Sequence, residues 1–591
     1  MRDDSLTFDQ LTGTDDDLHD ECGVFGIWAP GRDVARMTYF GLHALQHRGQ
    51  ESAGIAVGDG STVMVRKDLG LVTQVFTDSD LSALPGKVAI GHVRYGTAGS
   101  KGWESAQPHL SAINDVIIAL AHNGTLVNFD QLRVELINMG VPFRTHTDSE
   151  VAARLIGYFT QQTHHLRSGI AHAMAMMEGG YAMALVRENA LYAFRDPRGI
   201  RPLCLGELPN GQGWVVASET CALDIVGASY VRDIRPGEIL RISDDGLMSE
   251  QGIEPQPRAE CIFEDVYFAR PDSRFHGRSI YSMRYAMGVQ LAREAPVEAD
   301  LVIGVPDSGM PPAEGFAHEL GLPFGEGLIK NRYVQRTFIQ PTQELREMGV
   351  QLAREAPVEA DLVIGVPDSG MPPAEGFAHE LGLPFGEGLI KNRYVQRTFI
   401  QPTQELREMG VRLKLNALVD NVAGKRLVVI DDSIVRGTTS KQIVRMLKDA
   451  GATEVHMRIN SPEVTWPCFY GIDTDTQDQL ISARKTVGEI CEYIGADSLA
   501  FLSPEGLVSC VPEIADGAPT VEGASCAAGG SCDGYCKACF TGEYPVEIPA
   551  SFSKGKFLEG YAPKNLSHAS ATSQMSVEDV ARGEGGAAAG A

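Results

Sequence analysis

No stretch of about 18 uninterrupted apolar residues occurs in the chain, so no membrane-spanning helix is expected. Basic charge is in short supply: 51 Lys and Arg stand against 77 Asp and Glu, a net charge of −26. No basic block interrupts that background, which excludes a surface for nucleic acid or anionic membrane. The first 21 residues, MRDDSLTFDQLTGTDDDLHDE, are acidic and lack an apolar core, so they are no signal peptide and a cytoplasmic location is expected. Pairable cysteine is lacking too. The eleven cysteines are odd in number and scattered singly until a late cluster. In a cytoplasmic protein that favours catalytic or metal-bound thiols over disulfides. What the chain does have is length, and 591 residues imply two or more domains.

The most informative stretch is residues 427–440, LVVIDDSIVRGTTS. Its apolar, β-branched start has the composition of a buried parallel strand. The strand ends in Asp431 and Asp432, and a short loop with Arg436 and Gly437 leads to Thr438, Thr439 and a helical pattern closed by Gly451. A second strand, EVHMRI, follows, which makes a β-loop-α-β unit with its ligand site at the strand's carboxyl end. Backbone N–H groups at the helix start, with the two threonine hydroxyls, suit a phosphate. The adjacent carboxylates suit a vicinal diol, a metal ion, or both. Phosphate, diol and metal together describe a ribose phosphate. The stretch resembles the phosphoribosyl-diphosphate (PRPP) signature of type I phosphoribosyltransferases.

Near the amino terminus, Cys22 precedes a strand-like GVFGI. Alone, such a cysteine reads as a small buried hydrophobe. Four polar segments accompany it: HRGQESAGI from His47, GHVRYGTAG from Gly91, HNG at residues 122–124 and THTDSE from Thr145. Each carries groups that are costly to bury without a task. Together they resemble the glutamine amidotransferase domain of the N-terminal-nucleophile (Ntn) hydrolases. The resemblance implies removal of residues 1–21, so that the α-amine freed on Cys22 serves as base toward its own thiol. It makes Asn123 and Gly124 the oxyanion hole. It also assigns Arg94 to the glutamine carboxylate, Asp148 to its ammonium, and Arg48 to the same pocket.

Residues 287–347 recur at once, without a change, as residues 348–408. Solenoid repeats diverge; one perfect doubling of 61 residues reads as a tandem duplication within the gene or an error in the assembled sequence. Each copy holds a strand LVIGV, a PDSG turn, a helix and a loop KNRYVQRTFIQP. One copy suffices for a transferase. The other can leave the fold as a loop whose closure costs only about 4 kcal/mol, although an exposed apolar strand is an aggregation hazard. The spacing to Asp431 favours copy two for the turn and the loop.

The whole from residue 22 to about 560 resembles the amidophosphoribosyltransferase family, in its iron–sulfur branch. The implied fold is a four-layer αββα Ntn glutaminase at residues 22–250, then a doubly wound parallel-sheet phosphoribosyltransferase at 251–510. A segment with cluster ligands at 511–560 and a disordered tail at 561–591 complete the chain. The resemblance implies Mg²⁺ held by Ser369 (Ser308 if copy one docks), Asp431 and Asp432. PRPP would be bound by those aspartates with Arg436, Gly437, Thr438 and Thr439, under a lid carrying Lys391, Arg393, Tyr394 and Arg397. Cys536 and Cys539 form a CxxC that by itself fits zinc, redox chemistry or nothing. By resemblance, with Cys261 and Cys468, they hold a structural 4Fe–4S cluster; Cys526 and Cys532 lie close enough to compete. Further implications are 5-phosphoribosylamine, glutamate and diphosphate as products, inhibition by purine nucleotides, and a homo-oligomer, dimeric or tetrameric. Two rivals are a hexosamine-forming amidotransferase, which has no use for residues 427–440, and a nucleotide-sensing regulator, which has no use for Cys22.

Overall fold

A computed structural model describes residues 22–95, 102–113, 116–330, 363–364, 385–386, 415–417, 422–472, 476–512, 514, 534–549, 556–558 and 566–567. These fall into two compact units, one of residues 22–325 with 422–567 and one of residues 326–417. The expected leader, the lid residues Lys391, Arg393, Tyr394 and Arg397, Ser369, Cys526 and Cys532 lie outside the described residues.

Among the described residues, the amino-terminal domain has thirteen strands in two antiparallel sheets. They are β1 (Gly23–Trp28), β2 (Ser52–Gly58), β3 (Val63–Leu69), β4 (Val88–Arg94), β5 (His109–Ile113), β6 (Val116–Leu126), β7 (Gly179–Arg187), β8 (Ala190–Arg195), β9 (Cys204–Glu207), β10 (Trp214–Ala217), β11 (Ser229–Asp233), β12 (Glu238–Ser243) and β13 (Gly246–Gln251). The sheet orders are β11-β9-β10-β1-β4-β2-β3 and β13-β12-β8-β7-β6-β5. Alternation along each strand sorts side chains into layers. On β1, Phe25 and Ile27 pack against Val34 and Leu42 of the Val34–Ala44 helix, while Val24 faces the second sheet. On β6 and β7, Ala119, Ala121, Ala182 and Ala184 fill the space between the sheets. Their larger neighbours Leu120, Met183 and Leu185 meet the Asp148–Thr163 and Leu166–Met176 helices. Small residues between the sheets and large ones beneath helices produce the expected αββα layering. Because both faces of the central strands are covered, GVFGIW reads as one apolar run.

The second half is built on a four-stranded parallel sheet in the order Leu301–Gly304, Arg426–Asp431, Glu454–Ile459, Ser498–Phe501. Leu301 pairs with Leu427 and Leu427 with Val455. The helices Ile280–Glu294 and Met310–Leu320 cover it through Met283, Met287, Leu291 and Phe316 against Val302, Val428 and Ile430. The Thr438–Asp449 helix buries Ile443, Val444 and Leu447, one stripe at helical spacing.

The strand and PDSG turn in this sheet therefore come from copy one, whereas spacing along the chain favoured copy two. The cause lies just upstream. The helix Ile280–Glu294 begins before the repeat, and Ile280, Met283 and Arg284 of its first turns are buried. Before copy two the corresponding positions are Pro341, Glu344 and Leu345, which cannot extend that helix with an apolar stripe. In the other unit, Val363–Ile364 of copy two pairs in parallel with Phe385–Gly386. The tail was expected to lack structure from residue 561, yet Leu566–Ser567 pairs with Ile548–Pro549. Such a pairing needs only main-chain groups.

Candidate functional site

Two sites occupy ends of these sheets, and the first lies where β1 begins and β4 and β6 finish. Gly23 pairs with Val93, so Cys22 stands at the start of β1 level with Arg94. The two sheets are tied at this end by His92, whose Nε2–H donates to the His122 carbonyl (2.9 Å). Burial holds His92 neutral, with its pKa down to about 3, partly offset by that bond. Gln107 clamps the same residue, donating to the His122 carbonyl (3.2 Å) and accepting from its N–H (2.8 Å).

Next along β6 is Asn123. Its side-chain nitrogen and oxygen are both buried and neither has a hydrogen-bond partner. An unpaired buried amide costs about 1–3 kcal/mol per group unless something else meets it. Gly124 has φ +128°, and a Cβ there would stand 2.0 Å from the Gly180 carbonyl oxygen, so no other residue fits. Asp148 is the first residue of its helix, where the dipole favours negative charge; it accepts from the Leu126 N–H (3.1 Å). Arg94 is almost fully buried, with Nη1 3.3 Å from Glu51. Cys22, Arg94, Asn123, Gly124 and Asp148 thus belong to one end of the domain.

Arg48 is placed differently from the expectation. Its guanidinium is fully buried and engaged by the protein: Nε donates to the Cys22 carbonyl (3.1 Å), Nη1 to Glu219 (2.7 Å) and Glu264 (2.9 Å), and Nη2 to Glu264 (2.6 Å). Arg201 joins Glu264 (3.3 Å) and donates to the Tyr470 carbonyl (2.7 Å). Burial opposes the charge on Glu219, but His47 and Arg48 outweigh it and hold that carboxyl well below its ordinary range. Sequence reasoning passed over Glu219, Glu264 and Arg201. The available signal was ionisable residues inside apolar context, SETCALD and CIFEDVYF, which require partners once buried.

The second site lies at the carboxyl end of Arg426–Asp431. Asp431 and Asp432 are both buried, and the Asp432 N–H donates to Asp431 Oδ1 (3.0 Å). Ser433 Oγ donates to one oxygen of Asp432 (2.7 Å), and Ser308 Oγ of copy one donates to the other. Ser308 takes the place expected for Ser369. Gly437, at φ +79°, turns the chain into the Thr438–Asp449 helix; Arg436 is held by Gln479 (2.6 Å). Arg284, fully buried, donates to the carbonyls of Asp265 (2.8 Å) and Ala269 (2.9 Å). Burial lowers its pKa to about 10, with Asp432 acting in opposition.

The four cysteines expected together do converge. Cys261 pairs in register with Cys536. Burial raises the Cys536 thiol to about 12, with Cys468 nearby adding to the rise, and Cys539 is raised by burial, Cys468 and Cys536. The Tyr470 N–H donates to Cys468 Sγ (3.4 Å). Among the described residues no three His, Cys, Asp or Glu side chains are grouped for a single metal ion.

A glutamine amidotransferase domain model matches residues 97–224, and a phosphoribosyl transferase domain model matches residues 339–459. An amidophosphoribosyltransferase of Synechococcus elongatus is 48% identical over 540 residues, covering 91% of this chain and 94% of the relative. That of Bacillus subtilis is 44% identical over 535 residues, covering 90% and 95%. A solved structure described as B. subtilis glutamine PRPP amidotransferase complexed with ADP and GMP aligns with TM-score 0.71 at 43% identity, covering 89% of this chain and 98% of that one.

Proposed function

This chain belongs to the amidophosphoribosyltransferase family, and from that premise we propose how its residues divide the reaction. The enzyme is a glutamine-dependent pentosyltransferase of purine biosynthesis. Ammonia from glutamine displaces diphosphate at C1 of PRPP, and water releases glutamate from the Cys22 thioester, so that glutamine, PRPP and water give 5-phosphoribosylamine, glutamate and diphosphate.

In the first half-reaction Cys22 Sγ attacks the glutamine amide carbon. If residues 1–21 are removed, the α-amine of Cys22 takes the thiol proton and returns one to the departing ammonia. Asn123 Nδ2 and the Gly124 N–H meet the oxyanion, Arg94 the substrate carboxylate and Asp148 its ammonium. The observation that carries this reading is the buried Asn123 amide, whose unmatched donor finds its partner in a tetrahedral oxyanion. In the second half-reaction the Arg436–Thr439 loop and helix start receive the 5-phosphate. Asp431 and Asp432 receive the ribose hydroxyls. Two carboxylates and the Ser308 hydroxyl are hard oxygen donors suited to Mg²⁺, which when bound neutralises charge on the leaving diphosphate. Lys391, Arg393, Tyr394 and Arg397 are assigned to PRPP binding on the family resemblance alone.

Cys261, Cys468, Cys536 and Cys539 are assigned to a 4Fe–4S cluster. The support is that Cys261 stands in register with Cys536 and that Cys468 and Cys536 lie near enough to Cys539 to raise its thiol, four thiolates being the donor set such a cluster takes. Such a cluster would tie the Tyr535–Cys536 segment to the domain body as a structural staple. Purine nucleotides are assigned as regulators, on the strength of the ADP and GMP bound in the B. subtilis relative. The assembly is proposed to be a homodimer or homotetramer.

Substituting Cys22→Ala is expected to abolish glutamine-dependent PRPP consumption and to leave ammonia-dependent consumption in place. Retained glutamine use would overturn the assignment.

A further inference from the structure

Glu264 lies in none of the motifs that mark either site, yet it sits in the wall behind the nucleophile. We propose that Glu264 is a positioning residue of the glutaminase reaction, acting through Arg48 on the main chain of Cys22. This rests on the reading of Cys22 as nucleophile.

A guanidinium carries five N–H groups, and four of those on Arg48 are directed at protein acceptors: one to the Cys22 carbonyl, one to Glu219 and two to Glu264. A group so engaged is arranged to hold the chain, not to receive a substrate. The held point matters. Cys22 precedes β1, so its backbone is anchored from one side by the strand, where the Val24 N–H donates to Ser218 Oγ (3.0 Å). On the other side the Arg48 bond to its carbonyl supplies the second restraint. A nucleophile must be held to within about half an ångström. The two Nη contacts to Glu264 make a bidentate pair, which sets the plane of the guanidinium and not merely its distance.

Glu264 in turn opens a five-residue π-helical turn, Glu264–Phe268, an element associated with functional positions. The turn is itself held by Arg284 and by the Arg201–Glu264 pair. It follows the last strand of the glutaminase sheets. The amino-terminal domain therefore lacks one part of its own nucleophile's support.

The test is steady-state glutamine hydrolysis on the full chain, with alkylation of Cys22 by iodoacetamide followed at its peptide by mass spectrometry. Glu264→Gln should lower kcat about tenfold or more with KM within about twofold, since it disturbs placement and not substrate contacts. Alkylation of Cys22 should slow in parallel. Glu264→Asp, which keeps the charge, should recover part of the loss, and Arg94→Lys should instead raise KM. Unchanged kcat in Glu264→Gln, or a raised KM with kcat intact, would overturn the proposal. Should that variant fail to fold, Arg48→Lys decides on the same split: a kcat loss supports positioning, a KM rise makes Arg48 a glutamine ligand. Continued glutamine hydrolysis by Cys22→Ser would remove the nucleophile reading itself, whatever Glu264 does.

Discussion

The same 61 residues occur twice in this chain, and among the described residues the two copies make different strand pairings. In copy one, Leu301–Gly304 lies beside Arg426–Asp431 in the parallel sheet, and Val302 also bridges Phe324. In copy two, Val363–Ile364 pairs with Phe385–Gly386, the equivalent of that short bridge. The contact within reach of the local sequence is thus made in both copies. Pairing with residues 427–430 is made by copy one, because a strand edge accepts one neighbour. Local sequence supplies a candidate strand, and competition for a single partner decides its place. The match of the transferase domain model to residues 339–459 takes the other copy, as a reading by chain spacing must.

The comparison breaks most readily at the core. Ile303→Ala should cost about 2–5 kcal/mol in guanidinium unfolding, as buried Ile truncations do, while Ile364→Ala should cost under about 1. Equal losses, or the reverse order, would place copy two in the sheet. Removing one copy is the next largest perturbation. Deleting residues 287–347 or 348–408 yields one and the same sequence, so it tests tolerance of the surplus and not the choice of copy. Up to about 4 kcal/mol of loop-closure cost should be relieved, read as a higher denaturation midpoint with activity preserved. A lower midpoint would mean that copy two contributes contacts of its own.

At the site the two serines can be separated by chemistry. Ser308→Ala removes a hydroxyl donor to the Asp432 carboxylate, a charge-assisted bond of about 1.5–3 kcal/mol. Ammonia-dependent PRPP consumption should fall roughly ten- to hundredfold in kcat/KM, and Ser369→Ala should leave it unchanged. The smallest effect sharpens the part the copies share. Phe324 is 40% exposed, so Phe324→Ala and Phe385→Ala should each change stability by about 1 kcal/mol or less. A large loss in one alone would show that the local bridge differs between copies.

A further check lies away from both copies. Asp265 is buried with Oδ1 unpartnered, and burial raises its pKa to about 8. A folded pKa above the unfolded one means that the folded state holds the extra proton, so stability declines as pH rises from about 4 toward 8. Asp265→Asn should therefore raise Tm more at pH 9 than at pH 5 in a thermal scan.

Most of the first site was legible because its residues carry chemistry at the ends of apolar runs. Asn123–Gly124 closes the apolar VIIALAH, and Asp148 opens a helix. Arg48 was legible as an important residue but not as to its task. Its partners Glu219 and Glu264 are more than 170 positions away along the chain, and no local pattern links them. At the second site the strand, the aspartate pair and the Gly437 turn follow from composition alone, while the serine that meets Asp432 does not.

Sequence by itself determined the layers, through small and large residues alternating on β6 and β7, and the kind of pocket at Asp431–Asp432. It could not select between identical copies, since identical chains have identical propensities. Tertiary structure made that selection: Ile280, Met283 and Arg284 complete a buried helix in front of copy one, and one strand edge had room for one neighbour.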